Sequence, residues 1–299
     1  MHLAPPIPAW ITRLEERGKS AHTCAAYGRA VNHFAAWYAA AYEDEFAPSL
    51  VLPRDVQTWK AHQQTTEQAA PATINQRLVA LSAFFKWAIT ENLAAHDPTA
   101  EVSSLSLPEL RPKALSGSAL RRLIRAAQEN SVRDYALLEL MAGTGLRVSE
   151  ALALKVGDVH LGERSGKVIV RLGKRASYRE VLLSASVRLA LTAYLESLPN
   201  RAELAPDAPL WSGQRGPLAD SSAVNRLLSQ YEHATRADVP LTPHTLRHTF
   251  AIRYLEANPG DLRGLAAALG HHSLNTVMIY TQPSAQAMQE RMEKLEVAF

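Results

Sequence analysis

The chain has 299 residues, of which 47% are hydrophobic and 20% are charged. This length allows one large domain or two of ordinary size, and this composition excludes collagen-like, disordered and disulfide-rich proteins. The net charge of +3 averages two unlike parts, because residues 1–110 hold 8 Lys and Arg against 11 Asp and Glu, whereas residues 111–299 hold 24 against 18. Only 2 of the 14 glycines precede residue 110. We therefore expect two domains of different character.

The single cysteine, Cys24, has no partner for an internal disulfide, which suits a reducing compartment. Its neighbours are small or aromatic, so we predict a buried apolar residue rather than a nucleophile. The sequence has no signal-peptide pattern at its start and no apolar run long enough to span a membrane. These features predict a cytoplasmic protein with no membrane partner.

The first domain is predicted to be a small helical bundle over residues 1–104, because apolar residues recur there at three- and four-residue steps. Four helices are expected, and the residues that open them are Pro8, Ser20, Pro53 and Pro71. The polar face of the fourth helix carries Arg77 and Lys86. Residues 105–113 have no helical period and contain two prolines, which predicts a linker.

The second domain, residues 114–299, is predicted to be mainly helical with one small β-hairpin. The segments KVIVRL and YREVLLS form the hairpin, and its tip GKRAS carries Lys174 and Arg175. A sharp turn is expected at Gly143 and Gly145. The predicted helices are 116–127, 132–141, one after Gly145, 185–197, 218–235, 243–257, 261–269, 274–281 and 285–297.

The segment TPHTLRHTF carries the strongest chemical signal. Thr242 and Pro243 suit the start of a helix, and His244, Arg247 and His248 then share one face at i, i+3 and i+4. Free N–H groups in a first turn favour an anion, so this face suits a phosphate. One alternative is that the histidines only cap and pack. A zinc site is a second, but no Glu lies between the histidines and a guanidinium would repel the cation, so we predict no metal.

Two further segments carry candidate residues. Arg147 begins the helix after the glycine turn, and Glu150 is placed to pair with it or to orient a neighbouring histidine. Near the C-terminus a helix ends at Gly270 and is followed by His271, and Tyr280 falls at the end of the next short helix. Taken alone, Tyr280 would be a packed aromatic residue.

The segments TGLRVSE, HTLRH and LGHH, followed by Tyr280, resemble in order and spacing the tyrosine recombinase (phage integrase) family of site-specific DNA recombinases. Residues Thr73, Arg77, Leu81 and Phe84 are similar to the family's helical core-binding domain. The resemblance covers nearly the whole chain, and the compact size is most similar to Xer-like and transposon-encoded members.

This resemblance implies a role for each matching residue. The implied catalytic residues are Arg147, Lys174, His244, Arg247 and His271, with Tyr280 as the nucleophile. Lys174 matches the family's lysine, but the residue after it departs from the family pattern, because Arg175 replaces the second glycine of a Gly-Lys-Gly context. Glu150 and His248 would orient these groups. The implied DNA contacts are Arg77, Lys86 and Arg175.

The implied reaction cleaves and rejoins DNA through a 3′-phosphotyrosine link and a Holliday junction, without metal, ATP or other cofactor. The implied partners are double-stranded DNA with inverted half-sites and a homo-tetramer built as a dimer of dimers, with or without a paralogous recombinase or accessory protein. The last predicted helix would dock on a neighbouring protomer or pack on its own domain. The alternatives are a type IB topoisomerase, a catalytically idle DNA-binding regulator and a metal-dependent hydrolase.

Overall fold

The computed structural model describes residues 6–107, 114–172, 177–199, 204–213, 216–218, 220–237, 239–270, 275–278, 289 and 292–293. The chain divides into two compact units, Met1–Leu110 and Arg111–Phe299. Both are mainly helical and the second adds a small antiparallel sheet, so the predicted fold class is confirmed. Within the described ranges, no helix has the length and apolar character needed to cross a bilayer.

The first unit is built from four α-helices, α1 Ile7–Glu16, α2 Ala21–Tyr42, α3 Pro53–Thr65 and α4 Pro71–Thr90. The start signals act as predicted: the Ser20 hydroxyl accepts a hydrogen bond from the Thr23 amide at 3.1 Å, and prolines occupy the first turns of α3 and α4. The aromatic stripes meet in one core around Trp10, Phe34 and Trp59. Cys24 is buried in this core, as expected.

The end of the first unit is fastened by Asn75 on α4. Its Oδ1 accepts a hydrogen bond from the Leu105 amide at 2.8 Å, and its Nδ2 donates to the Leu105 carbonyl at 2.9 Å. Val102 and Leu105 also pack against the aromatic core. The first residue of the predicted linker therefore lies on the helical unit, while residues 108–113 lie outside the described ranges.

The second unit packs buried residues of a small sheet into one core with its helices. Its helices are α5 Gly117–Asn130, α6 Val132–Thr144, α7 Val148–Leu152, α8 Ala185–Ser197, α9 Ser221–Thr235, α10 Pro243–Ala257, α11 Leu262–Leu269 and α12 Asn275–Met278. Its strands are β1 Val159–Leu161, β2 Gly166–Leu172, β3 Ser177–Leu182, β4 Ser212–Gly213 and β5 Gly216–Pro217. The predicted hairpin is β2–β3, with Val168 opposite Val181.

Three strands were missed by the sequence analysis. β1 pairs with the outer side of β2, and β4 and β5 form a separate two-stranded sheet. Strands of two or three residues are too short to show the alternation that identifies a strand. The predicted helix 285–297 lies almost entirely outside the described residues.

The prediction of a turn at two glycines is wrong for Gly143. This residue lies inside α6, and only Gly145 adopts the left-handed conformation, with φ of 64°. Gly143 is small for a different reason, because a Cβ there would lie 2.5 Å from Cγ2 of Val187 on α8. The sequence showed two nearby glycines but not that one serves a turn and the other a close helix contact.

Candidate active site

Gly145 sets the path of the chain toward Arg147. It ends α6 with φ of 64°, and its amide donates to the Met141 carbonyl at 3.0 Å. A Cβ at this position would overlap Cδ1 of Phe250 and would lie 2.8 Å from Cδ2 of Leu269. The left-handed backbone and the lack of space both call for glycine. Arg147 follows two residues later as the residue that precedes α7.

The carboxylate of Glu150 holds Arg147 in place. Oε2 accepts a hydrogen bond from the Arg147 amide at 2.9 Å, and Oε1 accepts one from Arg147 Nη1 at 2.9 Å. Arg179 on β3 donates to the same two oxygens from the other side, at 2.9 and 3.0 Å. The Glu150 side chain is 11% exposed whereas that of Arg147 is 43% exposed. Of the two roles expected for Glu150, the pairing with Arg147 is therefore the one seen.

Burial and hydrogen bonding have opposite effects on the pKa of Glu150. Burial raises this pKa, but the hydrogen bonds from Arg179 and Arg147 outweigh burial and hold it below its ordinary value. Glu150 is consequently a carboxylate at neutral pH. Its charge and geometry keep the Arg147 guanidinium at the surface of the unit.

Arg247 is a buried arginine of α10, with a relative exposure of 6%. The helix starts as predicted, with the Thr242 hydroxyl accepting from the Thr245 amide at 3.1 Å. Arg247 Nη1 donates to the Gly145 carbonyl at 2.6 Å, and Nη2 donates to the Leu269 carbonyl at 2.9 Å. Arg247 therefore ties the turn before Arg147 to the last residue of α11.

His244 and His248 lie one turn apart on α10, with ring centroids 6.3 Å from each other. His244 is exposed and His248 is half-buried. Burial lowers the pKa of His248, and the nearby His244 and Arg247 lower it further. His248 is thus neutral at physiological pH and can both donate and accept a hydrogen bond.

The remaining predicted catalytic residues, Lys174, His271 and Tyr280, lie outside the described residues, as does Arg175. The residues that precede and follow the segment of His271 belong to α11 and α12. Gly270 caps α11 with φ of 65°, and Val277 of α12 is fully buried against α10 and α11.

The predicted DNA contacts of the first unit have different environments. Arg77 Nη1 donates to Glu67 Oε2 and to Gln63 Oε1, each at 2.9 Å, so this guanidinium is engaged within its own unit. Lys86, nine residues further along α4, is exposed to solvent.

Arg179 is the residue that the sequence analysis missed. It lies on β3 two positions before the buried Val181 and therefore on the same face of the sheet. A charged residue on the buried face of a strand is the signal that could have identified it. Among the described residues, no three His, Cys, Asp or Glu side chains are grouped as metal ligands.

Sequence models of known families match both units. The model of the phage integrase family matches residues 113–287, and that of the phage integrase N-terminal SAM-like domain matches residues 7–95. The chain belongs to the phage integrase family. Because members of this family are DNA strand-transferring enzymes, this phage integrase family protein is an enzyme of that kind.

Curated relatives are similar over almost their full length. The chain is 33% identical over 298 residues to the tyrosine recombinase XerC of Methylobacterium sp. (strain 4-46), which covers 96% of this chain and 91% of the relative. It is 35% identical over 280 residues to XerD of Ralstonia nicotianae, covering 91% of this chain and 87% of the relative. This phage integrase family member is therefore a tyrosine recombinase of the Xer-like type, and its function is site-specific DNA recombination.

Solved structures share the fold. XerA recombinase is 27% identical, with a TM-score of 0.54 and coverage of 96% of both chains. XerH recombinase, solved with a palindromic difH substrate after cleavage, has a TM-score of 0.76 at 22% identity, covering 96% of this chain and 85% of that one. These likenesses support the mainly helical two-unit architecture of this integrase.

Proposed function

We propose that Tyr280 of this recombinase attacks a scissile DNA phosphate and that Arg147 and Arg247 bind the same phosphate. The match of residues 113–287 to the phage integrase family supports the role of Tyr280, and one structural observation supports the two arginines. The guanidinium of Arg247 is bonded to the Gly145 carbonyl, two residues before Arg147, while Glu150 holds Arg147 on the other side of that turn. Two arginines supported by one short turn suit a single dianionic transition state.

The proposed reaction needs neither a metal nor ATP, because each bond that forms replaces one that breaks. The Tyr280 hydroxyl oxygen forms a bond to phosphorus, the bond to the 5′-oxygen breaks, and a 3′-phosphotyrosine and a free 5′-hydroxyl result. His244 takes the tyrosine proton, and Lys174 gives a proton to the leaving oxygen. Each arginine contributes roughly 3–4 kcal/mol to the transition state, the range measured for single preorganised donors. The reverse reaction rejoins strands because the phosphodiester energy stays in the tyrosyl link.

The other candidates support this reaction. His271 donates a hydrogen bond to the phosphate. Glu150 fixes Arg147 and the neutral His248 orients its neighbours on α10. Lys86 and Arg175 contact the DNA backbone, so both units contribute to binding, while Arg77 stabilises the helical unit through Glu67 and Gln63.

Strand exchange requires two cleaved duplexes, and we infer that the partner is double-stranded DNA with inverted half-sites. Two pairs of protomers assemble on it as a homo-tetramer and pass through a Holliday junction. The last predicted helix, 285–297, docks on a neighbouring protomer and couples the active sites. The reaction takes place in the cytoplasm, which suits the lone buried Cys24.

Suicide-substrate trapping tests the nucleophile. The full chain is incubated with nicked duplexes tiled across the DNA that flanks its own gene, and the products are denatured in detergent. We expect a covalent protein–DNA adduct that maps the site, and loss of this adduct in Tyr280→Phe with DNA binding retained. Tyr178→Phe is the matched control, because Tyr178 is an exposed tyrosine of the same unit and should keep the adduct. Adduct formation by Tyr280→Phe would overturn the assignment.

The topoisomerase alternative is tested with a supercoiled plasmid that lacks the trapped site. A recombinase leaves this plasmid supercoiled, whereas a type IB topoisomerase relaxes it. Rapid relaxation of the site-free plasmid would favour the alternative.

A further inference from the structure

Arg179 is a buried cation that the proposed chemistry does not use. Its side chain is 12% exposed, and it makes a two-point contact with Glu150, from Nη1 to Oε1 at 3.0 Å and from Nη2 to Oε2 at 2.9 Å. A fork of this kind fixes the plane of a carboxylate as well as its position. The orientation of Glu150 is therefore set by β3.

The hydrogen-bonding capacity of the Glu150 carboxylate is fully used. A carboxylate offers about four lone-pair sites. Two are taken by Arg179, one by the Arg147 amide and one by Arg147 Nη1. Because Arg179 occupies one side of both oxygens, Arg147 is limited to a single side-chain contact, and within the described part of the chain its guanidinium makes no other hydrogen bond.

Arg179 also lies against the end of α11. A Cβ on Gly270 would lie 2.6 Å from Cζ and Nη1 of Arg179 and 2.9 Å from Nε, so the main chain at Gly270 approaches the guanidinium closely. Arg179 Nε is buried and has no hydrogen-bond partner among the described residues. Arg179 thus bridges the Gly145–Glu150 turn and the end of α11, the same two segments that Arg247 joins through main-chain carbonyls.

We propose that Arg179 is a positioning residue for Arg147, acting through Glu150. Without Arg179, the buried carboxylate of Glu150 would face Arg147 alone, and the two would form a closed two-point pair. That pair would withdraw the Arg147 guanidinium from an incoming phosphate. By occupying the carboxylate, Arg179 keeps Arg147 oriented and available. This inference rests on the proposed function of Arg147.

The test compares four variants of the full chain, Arg179→Gln, Arg179→Lys, Glu150→Gln and the double variant Arg179→Gln with Glu150→Gln. The probe is a nicked duplex carrying the site trapped above, and the readouts are its Kd and the rate of adduct formation at saturating DNA. We expect Arg179→Gln to slow adduct formation roughly 100-fold, the cost of misplacing a catalytic group by about 1 Å. Its Kd should stay within about twofold, because the Arg179 side chain is 12% exposed and its guanidinium binds Glu150.

The double variant identifies the route of the effect. If Arg179 acts through Glu150, its replacement in the Glu150→Gln background slows adduct formation no further. Arg179→Lys, which keeps the cation but not the fork, should fall between the unaltered protein and Arg179→Gln. The proposal would be overturned if the rate losses of the two single variants multiply in the double variant. It would also be overturned if Arg179→Gln lowers DNA affinity and the rate of adduct formation by the same factor.

A matched control and a reaction-independent readout separate this proposal from the proposed function. Arg133→Gln removes a similar arginine from the buried Asp134, and it should lower thermal stability without slowing adduct formation. In the free protein, ¹³C NMR should show that the pKa of Glu150 rises in Arg179→Gln. An unchanged Glu150 pKa refutes the positioning role whether or not the protein cleaves DNA. Absence of any adduct from the unaltered protein refutes only the proposed function.

Discussion

Arg247 Nη1 and the carbonyl oxygen of Gly145 lie 2.6 Å apart, and they join residues 102 positions distant in the sequence. The same guanidinium also binds the carbonyl of Leu269. Arg247, which is expected to bind DNA phosphate, therefore also connects α10 to the turn at Gly145 and to the end of α11.

Arg247→Ala should destabilise the protein as well as abolish adduct formation. The change removes the Arg247 donor from two buried carbonyls, those of Gly145 and Leu269, at a cost of about 1–3 kcal/mol each. Chemical denaturation measures the loss of unfolding free energy, with exposed Arg253 of the same helix as the control. Arg253→Ala should change stability by no more than about 0.5 kcal/mol. Unaltered stability of Arg247→Ala would mean that the two carbonyl contacts are unimportant.

Gly145→Ala should cost more stability than Gly260→Ala. Both glycines have positive φ, 64° and 84°, but a Cβ at Gly260 meets nothing within 4 Å. Gly260→Ala therefore measures the backbone strain alone, about 1–2 kcal/mol. Overlap with Phe250 and Leu269 adds roughly 1–3 kcal/mol at Gly145. Equal losses of unfolding free energy in the two variants would show that space at Gly145 is not limiting.

Lys86→Ala should weaken DNA binding in a salt-dependent way. Removing one lysine–phosphate pair reduces the slope of log K against log salt concentration by about 0.9. Lys60 is the matched control, because its ammonium already donates to the Ser103 carbonyl at 2.6 Å. Titrations at several salt concentrations decide the case, and an identical slope for Lys86→Ala and the unaltered protein would place Lys86 away from the DNA.

His33 should titrate below its ordinary pKa of 6.5. Its Nδ1 accepts from the Trp59 indole at 3.1 Å, so the neutral ring donates from Nε2 to Glu67. Burial lowers the pKa first and the charge of Arg77 lowers it further, while Glu67 opposes both. NMR titration should therefore give a midpoint that falls in Glu67→Gln and rises in Arg77→Ala. Shifts in the reverse directions would refute this account.

The stability of the first unit should follow the same titration. Because the folded state binds a proton on His33 less readily than the unfolded state, the stability that the neutral ring contributes is fully present above pH 6.5 and is lost as the pH falls from 6.5 through the lowered pKa of the folded state. Denaturation at pH 7.5 and 5.5 should show this loss, and His33→Gln should reduce it. The ionisable side chains that interact with this ring are those of Arg77, Glu67 and His62.

Adduct formation should be unaffected by EDTA. In the proposed reaction, Arg147 and Arg247 supply the positive charge that a divalent ion provides in other phosphoryl-transfer enzymes. Preincubation with chelator, followed by the trapping assay, measures this directly. Activity lost in EDTA and restored by a divalent metal would favour the metal-dependent hydrolase.

Local signals in the sequence predicted the helices well. Ser20, Thr242 and the prolines of α3 and α4 act through their own backbone and need no distant partner. The hairpin was predicted for a similar reason, since the alternation in β2 and β3 is a property of each strand. The pairing of Glu150 with Arg147 was one of two expectations, because residues three positions apart at the start of a helix lie close to each other.

Long-range features could not be predicted in this way. Arg179 meets Glu150 across 29 sequence positions, and Arg247 meets Gly145 across 102. The sequence predicted a turn at Gly143, because nothing near it in the chain indicates that it packs against Val187, which lies on a helix 44 residues later. In each case the contact depends on how separate elements pack, and no spacing along the chain records it.

The paired hydrogen bonds between Asn75 and Leu105 affect where the helical unit should be cut for separate expression. The family match for this unit ends at residue 95, and a fragment ending there would lack Val102 and Leu105. The Asn75 amide would lose both partners and an apolar patch of the core would face water. A recombinant fragment that extends to residue 107 keeps these contacts, so it is the better choice for crystallisation or binding work.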